Sequence, residues 1–598
     1  MRVLGLLLAL AALPSALAQS TDCAVCVVAL GLVQQLNGTY TSNPDADCKA
    51  LGFCSGACVF WSPWPANAAP FPTDGGVPDS RRALLAQGAA AAAAAAPGGL
   101  TRESALAFVR HASARLPPRS TFADALALLW RYIAGGAAVG NATHPCSDAL
   151  NVVCDVERPF ELHLPMVDWD SDNFAGDPLA GDFLNQHFRG RSWRGKDCND
   201  SDASVHPGAL DAGGATDQNC NGISGTNPAT GAAYEAELCS GAFAPMGLAI
   251  VGDSAAAHFH IPPQYLNAPT WNLSGLLEMA ANEADWPQCS WATGYRNEST
   301  QCPRMGALPA PPASFYQRWV GLNRCNHGDV QNIGVNGART GSMAPPNGVI
   351  NALSRNKATD APMLVIYALI GNDVCSSGHD WTTVAEFQAN VLKSLDYLEA
   401  TLPAGSHVAF LGLADGRVLY DTTHTHVHPL GMPYPAVYEF LSCNNCNPCW
   451  GWLNTNETWR NATSAQAADL TAVYDAIIAV NSTRYTAFDV SRLGTWGAAW
   501  QGPPPALLIA HTHTHCSPRR APQMYHLQVD WKKFISDYAG SPFDLIEPSD
   551  GFHPSQTGNM LLAETLWRDL ATNKPDWLPK PNPNNAKIAA LFGDQGGY

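Results

Sequence analysis

The sequence predicts an α/β fold for residues 241–598, with a parallel β-sheet layered between helices. Three observations predict it. Unbroken apolar runs at residues 248–251, 363–370, 408–413 and 506–510 read as strands buried on both faces, as in a parallel sheet. Stretches with helical spacing, such as residues 383–402 and 465–480, supply the crossovers. Finally, the first run leads straight into Gly252-Asp253-Ser254 and then small residues. That is a strand turning into a helix at the carboxyl edge of a sheet, where a hydroxyl is exposed for chemistry.

Composition bounds the rest. At 598 residues the chain is too long for one core. Its 46% hydrophobic and 14% charged residues are those of a globular protein, and a net charge of -17 argues against a nucleic-acid partner. Met1-Arg2, an apolar run at 3–10 and Ala16-Leu17-Ala18 read as a signal peptide, residues 1–18, cut after Ala18. The expected location is therefore outside the cell or in the lumen of the secretory or endolysosomal pathway. No later stretch is long and apolar enough to span a bilayer, so only transient membrane-surface contact is expected. In that compartment the 18 cysteines read as disulfides. Sequons at Asn37, Asn141, Asn199, Asn272, Asn297, Asn456, Asn461 and Asn481 fit a glycoprotein.

In chain order, residues 19–60 carry Cys23 and Cys26 at the start of an apolar helical run and Cys48, Cys54 and Cys58 further on. This arrangement resembles the outer cysteines of a saposin B module, a small lipid-binding helical domain. Only 21 residues separate Cys26 from Cys48, which leaves no room for the usual middle hairpin. A truncated, disulfide-stapled helical segment is expected, either engaging lipid or acting as a plain structural cap. Residues 61–145 form an Ala/Pro/Gly-rich linker with a helical part around 104–134.

Residues 146–240 change character. Asp168, Asp170 and Asp172 alternate along one run; Asp197, Asn199, Asp200 and Asp202 repeat the theme, followed by Asp217, Asn219 and Asn221. Alternating carboxylates and amides in a turn-rich loop are the hard oxygen ligands that Ca²⁺ takes. The first run opens like an EF-hand, but Leu179 stands where the closing Glu belongs, so ligands must come from elsewhere, with Asp197 to Asp202 and Glu235 as candidates. A solvated Asp/Asn loop is the bland alternative.

Ser254 needs a base, an orienting acid and oxyanion donors. Asp550-Gly-Phe-His553 offers the first two on one loop: Asp550 holds the imidazole and His553 faces the serine. Asn372, at the end of the second apolar run, and Gly337 are candidate oxyanion donors beside the Ser254 N–H.

These blocks, Gly-Asp-Ser, Asn336-Gly337, Gly371-Asn372-Asp373 and Asp550-x-x-His553, stand in the order of the GDSL/SGNH hydrolases, which the sequence resembles. The resemblance implies a three-layer SGNH sheet, Ser254, Asp550 and His553 as the triad, and Ser254, Gly337 and Asn372 as the oxyanion hole, with Asp373 bracing the loop. Residues 193–202, 252–261, 367–375 and 592–597 are similar to the acyloxyacyl hydrolase family, secreted lipases that remove secondary acyl chains from lipid A. That resemblance implies an acylated lipid substrate, lipopolysaccharide or otherwise a phospholipid, and calcium as cofactor. It also implies a ligand set: Asp168, Asp170, Asp172, Phe174 through its carbonyl, Asp197, Asn199, Asp200, Asp202, Val205 through its carbonyl, Asp217, Asn219, Asn221 and Glu235. A further family carboxylate before Asp217 is replaced by Gly213.

Other readings stay beside this one: a GDSL esterase on phospholipid, glycolipid or acylated sugar, and a catalytically silent calcium-dependent lipid-binding glycoprotein. Two histidine triplets, 424/426/428 and 511/513/515, alternate so that they would share a face of an extended strand, but an ordinary structural role is expected ahead of a zinc site. Cys443, Cys446 and Cys449 read as disulfide partners. His258 and His260 are expected to line the site or to support its residues from behind, and not to act as the base, because no carboxylate is paired with them at a triad's spacing.

Overall fold

The computed structural model describes residues 163–597 except 166–167, 177–188, 262–282, 296–312, 370, 376–379, 430–431, 444–446, 482–483, 486–487, 490–523, 528 and 530. The signal, saposin-like and linker segments, the apolar run at 506–510 and the triplet His511, His513 and His515 lie outside the described residues.

Among the described residues, a six-stranded sheet organises the molecule. Its strands are β1 (Gly247–Gly252), β2 (Val330–Gly334), β3 (Met363–Ala368), β4 (Ser406–Leu411), β5 (Phe488–Asp489) and β6 (Met524–Leu527). The order is β2-β1-β3-β4, with β5 and β6 both pairing with β4, and every pairing is parallel. The helices used below are α1 (Ser254–Ala257), α2 (Phe315–Leu322), α3 (Val384–Thr401), α4 (Tyr434–Cys443), α5 (Glu457–Asn481), α6 (Gln556–Asn573) and α7 (Asn585–Phe592).

Alternation along each strand sends side chains to two cores. Ala249, Val251, Val365, Tyr367, Val408 and Phe410 face Val391 and Leu395 of α3 and Leu470 and Tyr474 of α5. Leu248, Ile250, Leu364, Ile366 and Leu411 face Trp319 of α2 and Leu562, Leu566 and Leu570 of α6. This is the three-layer α/β arrangement that the unbroken apolar runs predict. Where Thr383 precedes α3, its hydroxyl accepts from the Glu386 N–H while the Glu386 carboxylate accepts from the Thr383 N–H, a reciprocal cap that fixes the helix start.

The strand β2 is the departure from expectation. Its sequence, Val-Gln-Asn-Ile-Gly, is too polar to read as a core strand, yet all five residues are buried. Gln331 accepts from the Ser354 N–H (2.9 Å) and Asn332 donates to the Ala256 carbonyl (2.9 Å) and Thr293 (2.8 Å), so the polar atoms are satisfied. The outer edge of β2 is covered by residues 193–195. Gly195 N–H donates to Val330 O, Asn332 N–H donates to Trp193 O, and Arg194 bridges Gln331 in antiparallel sense.

The acidic segment packs directly on the sheet domain. Cys239 is bonded to Cys325 (S–S 2.03 Å), and Leu238 and Ile223 share a core with Ile588 of α7. Within the segment, Cys198 is bonded to Cys220. The buried Arg189 donates to Glu283 (3.0 Å) and to Gly334 O (2.8 Å) at the end of β2.

Candidate active site

The Gly252-Asp253-Ser254 segment is built by close approach. A Cβ at Gly252 would lie 2.5 Å from Ala256 Cβ and 3.0 Å from the Ala368 carbonyl, so only glycine lets β1 turn under α1. Asp253 caps α1 by accepting from the Ala255 N–H at 3.0 Å. Ser254 thereby opens a helix at the carboxyl end of β1.

Three residues predicted from sequence to act together are brought together. His553 Nε2 lies 2.7 Å from Ser254 Oγ, and His553 Nδ1 lies 2.6 Å from Asp550 Oδ2. With the Nδ1–H given to the carboxylate, Nε2 is left as the acceptor of the serine proton. The second Asp550 oxygen accepts the backbone N–H of Phe552 (2.8 Å) and of His553 (3.0 Å). All three residues are buried, and the imidazole is flanked by the Phe259 ring at 4.6 Å and the Phe552 ring at 4.9 Å.

Ser254, Asn372 and His553 line one pocket, whose remaining wall is largely apolar and includes Val418, Leu419, Trp452, Phe552 and Leu562. Of the two predicted oxyanion donors, Asn372 is in this wall. Its Nδ2 donates to Ala338 O at 3.1 Å, tying it to the loop after β2. Gly337 sits on that same loop at φ +77°, beyond Gly334, which is in register with Gly252, but it is not among the pocket-lining residues. Asp373 braces the turn: it is buried, which pushes its carboxyl up, and it accepts from the Thr340 hydroxyl at 2.8 Å. A disulfide from Cys375 to Cys449 joins the Asn372 turn to the loop that carries Trp452.

His260 keeps the supporting place expected of it, with a partner that local spacing does not show. A carboxylate does face it: His260 Nδ1 lies 2.5 Å from Glu547 Oε2, both buried. The two are 287 residues apart, which no local spacing reveals. Neighbouring His258 is buried and held neutral, its pKa pushed down to about 3 by burial, with the nearby His260 adding. The triplet His424, His426 and His428 does not form a shared face. His424 Nδ1 turns onto its own helix carbonyls, His426 stacks on Phe543, and His428 Nε2 donates to Ser549 O at 2.9 Å.

The predicted calcium ligands fall into two groups. Ligand atoms of Asp168, Asp170 and Asp172, and of Asp170, Asp197 and Asp200, converge within 4.8 Å of one another. Both oxygens of Asp170 and one each of Asp172 and Asp197 are buried without a hydrogen-bond partner. Burial pushes the carboxyls of Asp172 and Asp197 up to about 7, and the charge of the neighbouring Asp170 adds to both. These oxygens suit a hard divalent cation. In the second group, Asn219 and Asn221 donate to Glu235 at 3.1 and 3.2 Å, and Asp217 accepts from the Asn221 and Gly222 N–H groups. Asp202 is exposed and accepts from Ser204, and Asn199 accepts from the Ser201 hydroxyl at 2.8 Å. Phe174 and Val205 are buried beside these loops.

Known proteins resemble this chain in sequence. The GDSL-like Lipase/Acylhydrolase family matches residues 248–566, and a MopE-type metal-binding motif matches residues 197–224. The chain is 37% identical to an acyloxyacyl hydrolase of Homo sapiens, over 74% of this chain and 70% of that one. It is 39% identical to one of Oryctolagus cuniculus, over 67% of this chain and 65% of that one, and 35% identical to one of Mus musculus, over 75% and 72%.

Proposed function

The chain belongs to the acyloxyacyl hydrolase family of GDSL-like lipases, and from that premise we propose how it cleaves an acyl ester and which lipid carries it. The observation that carries the reading is the chain of contacts Asp550–His553–Ser254, at 2.6 and 2.7 Å, opening into an apolar pocket. Ser254 Oγ attacks the ester carbonyl while His553 Nε2 takes its proton. The carbonyl oxygen becomes an oxyanion held by the Ser254 N–H and the Asn372 amide, with Gly337 as the third donor of the reading. His553 returns the proton to the departing alkoxide, and Asp550 stabilises the imidazolium in between. Water then repeats the cycle on the acyl-serine and releases the fatty acid. The apolar wall accepts the acyl chain and excludes competing water from the ester.

The substrate of this reading is an acyloxyacyl lipid of the lipid A type, hydrolysed in the secretory or endolysosomal lumen or outside the cell. Calcium would be held by Asp168, Asp170, Asp172, Asp197 and Asp200, with Asp217, Asn219, Asn221 and Glu235 as a second group. It would supply charge neutralisation of the acidic loops. The test is mass spectrometry of fatty acids released from lipopolysaccharide and from phospholipid in parallel. Release of secondary chains from lipopolysaccharide is expected; release from phospholipid alone would overturn the substrate assignment.

A further inference from the structure

The turn that carries Asp550 and His553 is held by a second histidine–carboxylate pair that touches no reacting atom in the scheme above. Glu547 opens this turn. Its N–H donates to His553 O (2.7 Å), its carbonyl accepts from the Gly551 N–H (2.8 Å), and its Oε1 accepts from the Ser549 hydroxyl (2.9 Å). Its remaining oxygen, Oε2, meets His260 Nδ1 at 2.5 Å. His260 belongs to the other half of the site, six residues after Ser254, and its carbonyl is fixed by Trp286 Nε1 at 3.0 Å. Between them lies Phe259, whose ring packs on the His553 imidazole.

Glu547 is 1% exposed and His260 is 8% exposed, so water is a poor substitute for either partner. We infer that the His260–Glu547 pair is a positioning device that sets the spacing between the nucleophile segment and the acid–base turn. It rests on the triad reading and extends it. Nothing else described joins residues 258–260 to residues 547–549 by a hydrogen bond between side chains. A displacement of about 1 Å at a triad costs on the order of 100-fold in rate, so a clamp of this kind is felt in turnover and not in binding.

The test compares E547A, E547Q and H260A with wild type on a soluble short-chain ester, with reaction of a fluorophosphonate probe followed in time. E547A and H260A are expected to lower kcat roughly 30- to 100-fold with KM within about twofold. Probe labelling should slow in step while reaching the same final stoichiometry on folded protein. E547Q should stay within about threefold of wild type, because its amide can keep both contacts if Ser549 accepts instead of donating. Should E547A fail to fold, S549A replaces it, with a loss of roughly 3- to 10-fold expected from removing one contact to the same carboxylate. Unchanged kcat per labelled site in E547A and H260A, or in S549A in its place, would overturn the inference. So would E547Q as impaired as E547A. Wild type that the probe does not label would sink the triad reading itself, a separate outcome.

Discussion

The acid–base turn at residues 547–553 and the acidic loops at residues 168–200 both bury carboxylates, and they treat them in opposite ways. Asp550 accepts from two backbone N–H groups and an imidazole, and Glu547 from a hydroxyl and a second imidazole. Asp170, Asp172 and Asp197 leave four buried oxygens without a hydrogen-bond partner, and burial together with the charges of neighbouring aspartates raises their pKa. The difference teaches that burial alone does not define a catalytic acid. What matters is what answers it: donors from the chain at the triad and, in the function proposed above, a cation from outside at the acidic loops.

The largest expected effect tests the first half of that contrast. S254A should lower kcat about 10⁴- to 10⁶-fold, and D550N about 10⁴-fold, with calcium affinity unchanged, measured on a soluble ester and by calcium titration. N372A should cost roughly 10²- to 10³-fold in kcat if its amide meets the oxyanion. An effect below about threefold would remove Asn372 from that role.

The second half is broken or sharpened by chelation. Removing calcium should lower the melting temperature by roughly 3–8 °C and restoring it should reverse the shift. D170N, which removes one of the repelling charges, should raise the stability of the chelated protein while weakening calcium binding. A melting temperature indifferent to both chelator and calcium would leave the acidic loops as a solvated surface.

A smaller effect concerns pH. Burial pushes the His407 imidazole, stacked on Trp577, down to about 4. Its stabilising contribution is complete above the unfolded value near 6.5 and is lost as pH falls through about 4, because only the unfolded chain binds the proton in that window. H407F should therefore flatten the acid limb of the stability curve by up to about 1.4 kcal/mol per pH unit, read from denaturant midpoints between pH 6.5 and 4. Smallest of all, Asn199 should be free of glycan by peptide mass spectrometry if it faces the cation, although it stands in a sequon.

Much of this was legible in the chain because the chemistry sits at the ends of regular elements. Ser254 follows an apolar run, Asn372 follows another, and Asp550 and His553 lie within one turn, so local patterns carry all four. The acidic loops were visible in the same way, as short runs of alternating carboxylates and amides. What stayed hidden depends on long-range juxtaposition. Strand β2 hides its role behind buried Gln331 and Asn332, whose partners come from other loops. Glu547 was visible in the run that holds the triad acid, but nothing local tied it to His260. The same holds for Tyr434 and Tyr438 of α4, whose hydroxyls donate to Pro548 O (2.6 Å) and Gly551 O (3.0 Å). Gly551 is legible only in retrospect: it sits at φ +65°, and a Cβ there would lie 2.2 Å from the Tyr438 oxygen.

The antiparallel cover that residues 193–195 lay along β2 has a practical consequence for making this protein. An open β-strand is a template onto which other chains add, and it is the usual starting point of insoluble assembly. A recombinant fragment beginning at residue 241 would bare that template and leave Cys325 as a free thiol without Cys239. Such a fragment would hold every triad residue and still be expected to precipitate or crosslink, whereas one beginning upstream of the acidic loops would carry its own edge guard.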